Sequence, residues 1–523
     1  MASLVTSHFR IHNAIQFLES FSETNPNIYY LFAGKSYAYA NDAVPPTPVD
    51  SYDSTYYDFW RDIVGLKRIQ VSDVTHCVPR YNWTANTVYT QYTSNNASLS
   101  GSPFYVMTTQ DNVYKCIDNN RGGQSTVVPT GTSSSIISTT DHYRWKFLYT
   151  ISAGEKNKFL TNNFIPVKNI SANDSSAQWI VQQAAANGSI NNINITSNGS
   201  GYLTTSNSFS SITNTTVVVL KSNAVATDDI YNGSSIIITS GLGSGQRGSI
   251  RKIINYVGTS RTLTLESPFT VTPNTSSIYI VSPTVTVSGD SGATSAKRAT
   301  AWVSNTQGGQ VRTISMIGVG QNYSTANVAI SANSGSGATA IPIISPYGGH
   351  GSNPVNELFG KYIMMNTQLQ GAESNTLPTN NDIRTIGIIR DPLLRNGFAA
   401  NTSTIDQTHR IQVNTVSGDF TTDEKIRGAT SGASGKLIYF ANTNGARTQG
   451  TLKLIRLVTS NTGGSFVPGE ILTGVSSGFT ATVVSYTRPA LKEYTGLIIY
   501  NENRVPITRA SDQIEDIKII LSF

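Results

Sequence analysis

A chain of 523 residues, 38 % hydrophobic and only 13 % charged, is long enough for about three or four domains but carries roughly half the usual share of charge. Its net charge of +6 comes from scattered Lys and Arg with no run of one sign, which argues against nucleic-acid binding. There is no apolar run of ~18 residues and no leader-like start, so no membrane crossing is expected.

Two cysteines, Cys77 and Cys116, give no disulfide framework, and a reduced pair is the default. The many Asn-x-Ser/Thr triplets then follow from a Ser/Thr/Asn-rich composition rather than from glycosylation. Such polar, weakly charged, β-tolerant chains suit extracellular or virion assemblies better than metabolic enzymes.

In chain order, residues 4–9 suggest a short strand. A helix follows over 11–21, with Ile11, Ala14, Ile15, Leu18 and Phe21 on one stripe. Strands are expected at 29–32 and 35–40, ended by Val44-Pro45-Pro46-Thr47-Pro48, which cannot join a ladder. Residues 54–64 have the pattern of an amphipathic helix, and 66–71 that of a strand.

The stretch 103–151 alternates in three aromatic-rich runs: 104–109, 112–117 and 143–151. The last places Tyr143, Trp145, Phe147 and Tyr149 on one face. Such strands bury large areas and nucleate a sheet core. The run 119–140 has no apolar period and is expected to be a surface loop. Strands return at 362–370, 383–389 and 495–500. Residues 501–504 suggest a turn, and 517–523 a closing strand with Ile517, Ile519, Leu521 and Phe523 inward.

Two internal repeats stand out. Residues 188–202 (GSINNINITSNGSGY) resemble 309–323 (GQVRTISMIGVGQNY), and 420–437 (FTTDEKIRGATSGASGKL) resemble 466–483 (FVPGEILTGVSSGFTATV). Two copies are too few for a solenoid, so each pair predicts a small sandwich or barrel.

Chemical motifs are sparse. Gly243-Ser244-Gly245-Gln246-Arg247-Gly248 satisfies G-x-G-x-x-G, but an alternating strand pattern follows where a dinucleotide site needs a helix N-terminus. No cofactor is expected. Of the histidines, His8 and His12 straddle the expected strand–helix junction, and His350 sits among glycines; surface or packing roles are favoured over metal. His76 and Cys77 would point to opposite faces of a strand, which argues against a dyad. Asp228-Asp229 and Asp423-Glu424 are the acids a glycan-cleaving pair would need, and solvated turns are the simpler reading. No catalytic or metal residue is assigned. Arg80 and Arg504 adjoin or approach Pro in short connectors beside Trp83 and Asn503. Arg and Trp dominate interface hot spots, so these residues either anchor partner chains or tie loops to the core.

The chain resembles the baseplate wedge subunit of T4-like contractile-tailed phages, the gene eight product family. The resemblance lies in LVTSHFR at 4–10, FAGKS at 32–36 with the proline turn, Asp58-Phe59-Trp60, and Val78-Pro79-Arg80 with Trp83. It continues in Val113-Tyr114-Lys115-Cys116, in DHYRWKFLY at 141–149 with Tyr143 and Trp145, in 368–394, and in Asn501-Glu502-Asn503-Arg504-Val505-Pro506 through to Phe523. It covers 1–168, 360–396 and 494–523; the repeat-bearing stretches depart from the family and look like insertions.

What the resemblance implies is a β-sandwich core with short helical excursions; with the inserted sandwich- or barrel-like domains read from the repeats, the expected fold is mainly β. The expected division is 1–168, 348–400 and 491–523 as core, with 169–347 and 401–490 inserted. The implied role is a structural, non-enzymatic homodimer in the virion tail baseplate. It would be assembled in the host cytoplasm against the wedge products of genes six, seven and ten, with no nucleic acid or membrane. Val78, Pro79, Arg80, Trp83, Tyr114, Tyr143, Trp145, Asn503, Arg504 and Pro506 are the candidate interface residues. The abundant Tyr and Gly/Ser/Thr-rich repeats also suit a carbohydrate-binding tail fibre or adhesin, and less well a glycan-degrading tail enzyme.

Overall fold

The computed structural model describes residues 4–96, 98–245, 249–290, 298–443, 448–459 and 465–523. It is mainly β, and the chain crosses between two compact units. One unit comprises Met1–Val78, Gly154–Pro166 and Gly360–Phe523; the other comprises Pro79–Ala153 and Val167–Phe359. Residues 1–168 therefore contribute to both units, and residues 409–487 supply a barrel to the first.

In the first unit, two sheets share one apolar core. The five-stranded sheet runs Thr404–Asp406, Ile63–Ile69, Tyr29–Gly34, Asn381–Arg390, Leu497–Arg509. The four-stranded sheet runs Ile514–Ser522, Tyr362–Gln370, Val74–Pro79, Phe164–Val167. Tyr29, Leu31, Ile386 and Ile388 from the first sheet meet Ile363, Met365, Leu369 and Ile519 from the second, as alternating inner faces of a sandwich must. The closing strand behaves as its alternation predicts: Ile519 is buried, and Ile517, Leu521 and Phe523 pack on the same core.

Several local expectations are corrected. Residues 4–9 do not form a strand. Thr6 accepts a hydrogen bond from the Phe9 amide at 3.2 Å and starts a helix at Ser7–Glu19, since a capping hydroxyl outweighs a short alternation. Residues 35–40 leave the sheet because Lys35 takes a left-handed φ of 52°. The 54–64 helix is instead a π-helical turn, Tyr52–Asp58, followed by Phe59–Asp62, and the chain is already a strand at Ile63.

The expected turn at 501–504 lies inside a thirteen-residue strand, Leu497–Arg509. Asn501, Glu502 and Asn503 pair with Gly387, Ile386 and Thr385, so cross-strand pairing overrides the polar local sequence. The real turn falls after Arg509, before Ile514.

The barrel closes in the order His409–Asn414, Gln449–Val458, Ser434–Asn442, Lys425–Gly428, Ile471–Gly474, Thr480–Thr487. Ile411, Ile426, Leu437, Leu452, Leu472 and Val483 fill it, as interior positions of so small a barrel do.

In the second unit, Tyr105–Met107, Asn112–Asp118, Arg144–Thr150 and Ile137–Ser138 form a four-stranded sheet. The expected loop at 119–140 therefore contains its last short strand. A twelve-stranded sheet carries the rest of this unit over two cores. One is built around Tyr231, Tyr256 and Tyr279, the other around Tyr202 and Tyr323. No helix among the described residues is long and apolar enough to cross a membrane.

Candidate functional site

Four of the ten candidate interface residues are interior. Val78, Tyr114, Tyr143 and Trp145 are fully buried. Tyr143 stacks on Trp145 with centroids 5.4 Å apart. The Tyr114 hydroxyl donates to the Gly131 carbonyl at 2.7 Å and the Tyr143 hydroxyl to that of Gly123 at 2.5 Å. These tyrosines pin the 119–140 segment to the sheet, which explains why a stretch with no apolar period lies ordered on it.

The other six are partly exposed. Trp83 donates its indole N–H to Ser125 at 3.1 Å, and Arg80 reaches the Asn82 carbonyl oxygen of its side-chain amide at 2.9 Å. Pro79 accepts from the Tyr105 hydroxyl at 2.6 Å. On the Leu497–Arg509 strand, Asn503 accepts from Thr385 at 3.0 Å and donates to the Pro46 carbonyl at 2.9 Å. Arg504 lies 3.5 Å from Glu502 on the same strand, and Pro506 is half-buried. The structure thus groups Asn503, Arg504 and Pro506 on one sheet edge, and Arg80 with Trp83 on one connector.

Sequence reasoning missed the buried polar anchors. In the first unit Asp62, 6 % exposed, receives two bonds from the Arg456 guanidinium, at 2.5 and 2.9 Å, and one from the Tyr37 hydroxyl at 2.9 Å. Burial, and then the neighbouring Asp62 carboxylate, push the Tyr37 phenol well up. Lys35 lies 3.5 Å over the Tyr37 ring, a cation–π contact. This cluster fastens the barrel strand Gln449–Val458 to the helical turn before Ile63. No sequence pattern links an Asp and an Arg so far apart in the chain.

In the second unit Lys115 and Glu357 form an ion pair with both side chains essentially inaccessible. Glu357 also accepts from the Gly351 amide at 2.7 Å. Beside them His350 stands edge-on to Tyr92 at 4.9 Å, with neither ring nitrogen partnered among the described residues. Burial, then the positive charges of Lys115 and Lys146, hold its imidazole well below the usual range. Lys146 is itself pushed down to about 8 by burial. His350 is therefore a buried neutral ring within a polar cluster.

Both repeats resolve into reciprocal clasps. The Tyr202 amide donates to the Gly309 carbonyl at 3.0 Å, and the Tyr323 amide donates to the Gly188 carbonyl at 3.1 Å. Each copy thus begins where the other ends. In the barrel, Glu424 accepts from the Ser476 and Ser477 amides at 3.2 and 3.0 Å and from the Ser477 hydroxyl. Glu470 accepts from the Thr430 and Ser431 amides at 3.2 and 3.0 Å and from the Ser431 hydroxyl. The glycines of the repeat leave the space: a Cβ at Gly428 or Gly474 would come within 2.5 Å of the opposite glutamate.

The remaining motifs are placed as follows. Gly243 and Gly245 take left-handed φ values and Ile250–Val257 is a strand, while 246–248 lie outside the described residues. His8 and His12 are both exposed, one turn apart on a single helix and not across a junction. His76 bonds the Gly360 carbonyl at 2.9 Å. Cys77 and Cys116 are free and buried, and burial raises both thiols. Asp228 accepts from the Gly258 amide at 2.7 Å. Among the described residues no group of three or more His, Cys, Asp or Glu is arranged to hold a metal. A cleft of about 160 Å³ in the first unit is lined by Trp60, Arg61, His409, Arg456, Glu493 and Tyr494 among others.

No curated protein matches the chain. Residues 3–120 match the family model Phage-Gp8, described as bacteriophage T4, Gp8. That span includes the strands Tyr29–Gly34 and Ile63–Ile69 and five of the candidate residues, Val78, Pro79, Arg80, Trp83 and Tyr114. Over residues 3–120 the chain is therefore similar to the Phage-Gp8 family, described as bacteriophage T4, Gp8.

Proposed function

We propose that this chain is a structural subunit of a phage tail baseplate wedge that pairs with a second copy and bridges neighbouring wedge proteins without catalysing a reaction. By resemblance those neighbours are the products of genes six, seven and ten, met during assembly in the host cytoplasm. The observation that carries this reading is the family match over 3–120. The buried anchors Asp62–Arg456 and Lys115–Glu357 tie distant segments together within each unit, in keeping with a structural role.

The test is to mix the purified chain with each wedge subunit and measure the mass of the eluting species by light scattering. Co-elution in a defined ratio is expected; a chain that stays apart from every wedge subunit refutes the bridging role.

A second reading, a carbohydrate-binding tail protein, is favoured by the cleft between Trp60 and Tyr494 with its Arg, His and Glu lining. Aromatic walls with a few polar groups suit a small ligand. Saturable binding on a glycan array that disappears with Tyr494→Ala would move the function there.

A further inference from the structure

We infer that the Leu497–Arg509 strand is the surface through which two copies of this chain associate, by antiparallel pairing about a two-fold axis at Asn503. The inference rests on the dimer reading above and names its surface. Leu497–Arg509 is the outermost strand of its sheet and thirteen residues long, whereas the opposite edge, Thr404–Asp406, has three. Beyond its ladder to Asn381–Arg390, its one backbone bond among the described residues is from the Asn380 amide to Arg509, at its far end. A long strand with an unpaired outer row of N–H and C=O groups is a template for another strand.

The sequence of this edge says which strand. A two-fold axis at Asn503 sets residues equally far from it opposite one another. Glu502 then faces Arg504 of the second copy, and Arg504 faces its Glu502, on one face of the sheet. Away from this centre the strand departs from regular alternation, its register to Asn381–Arg390 shifting between Tyr500 and Ile498 and between Asn503 and Ile507, so the register is read from the Glu502–Arg504 pair. Among two-fold registers of this strand, the one centred on Asn503 sets both charges against their opposites. Val505, 57 % exposed, and Leu497, 37 % exposed, gain cover. Pro506 has no N–H to offer, so the ladder is centred on 501–505. The pairing consumes the same edge in both copies, and the three-residue opposite edge is too short to continue it, so it closes as a dimer and not a fibre.

The experiment measures the mass of the full chain by light scattering over a dilution series, for the unaltered protein, Glu502→Arg, Arg504→Glu and the double charge swap, with circular dichroism confirming the fold of each. The unaltered chain is expected to run at twice 56.3 kDa. Each single reversal places like charges opposite and should weaken the dimer by about tenfold; the double swap should restore it. A dimer indifferent to all three variants overturns this surface while leaving the dimer reading intact. A folded double swap that stays monomeric overturns the register. Loss of the dimer with Asp516→Lys, but with neither 502 nor 504 reversed, moves the interface to the Ile514–Ser522 edge. An unaltered chain that is monomeric throughout overturns the dimer reading itself.

Discussion

Glu424 holds the turn of the opposite barrel repeat, accepting from the Ser477 hydroxyl at 2.8 Å, and Glu470 returns the same grip on Ser431 at 3.0 Å. Lys425–Gly428 and Ile471–Gly474 pair antiparallel between them, with Arg427 opposite Thr473. The two halves of the barrel are thus related by an internal two-fold, and each carboxylate satisfies amides that its own half cannot reach.

Replacing Glu424 with Ala should therefore loosen the 476–480 turn as well as its own, where Glu424 also accepts from the Thr421 amide at 2.7 Å. Charge-assisted bonds to backbone amides contribute roughly 1.5–3 kcal/mol each way. Hydrogen exchange followed by mass spectrometry should show faster exchange at Ser476 and Ser477 in Glu424→Ala, and at Thr430 and Ser431 in Glu470→Ala. Exchange that rises only near the mutated residue would contradict the clasp.

The Lys115–Glu357 pair predicts an asymmetric mutational response. Glu357→Gln leaves the Lys115 ammonium buried without its counter-charge and should cost about 3–5 kcal/mol. Lys115→Met combined with Glu357→Leu removes both charges and should cost much less. Denaturant unfolding of the unaltered chain, Lys115→Met, Glu357→Leu and the double variant gives the coupling directly; single losses that simply add in the double would mean the pair is not coupled.

His409 sets a pH dependence. It is 8 % exposed, bonds the Tyr486 hydroxyl at 2.8 Å, and is held down to about 4 by burial and then by Arg395 and Arg488. Its folded pKa lies below the unfolded value of about 6.5, so the unfolded chain takes up the proton first as pH falls. Stability contributed by the neutral ring is full above pH ~6.5 and is lost down to about pH 4. That loss is on the order of 3 kcal/mol. His409→Gln should flatten the stability curve over that window by about one proton; an unchanged slope would show that His409 is not buried neutral.

Gly188 tests the other clasp. It has a φ of 57°, and a Cβ there would lie 2.5 Å from the Tyr323 amide nitrogen and carbonyl oxygen. Gly188→Ala should destabilise the second unit by more than the ~1 kcal/mol of an ordinary Gly-to-Ala strain and expose Tyr323. Gly245→Ala, with nothing among the described residues within 4 Å of its Cβ, is the control for backbone strain alone. Equal losses of melting temperature in the two variants would rule out the steric contact.

Local sequence determined the elements whose apolar period runs long. The strands Asn112–Asp118, Tyr362–Gln370 and Ile514–Ser522 lie where alternation places them, and the paired repeats announce a small barrel, because two-residue periodicity survives whatever packs on it. It also carried the family likeness over 3–120. Tertiary structure decided the rest. The polar segment 501–504 became strand because Asn381–Arg390 offered a ladder, and 119–140 became ordered because Tyr114 and Tyr143 reached its carbonyls. Asp62 found Arg456, and Lys115 found Glu357, across hundreds of residues. Such pairs leave no trace in spacing or composition, since their energy depends on burial and on the meeting of distant strands, and both exist only once the chain has folded.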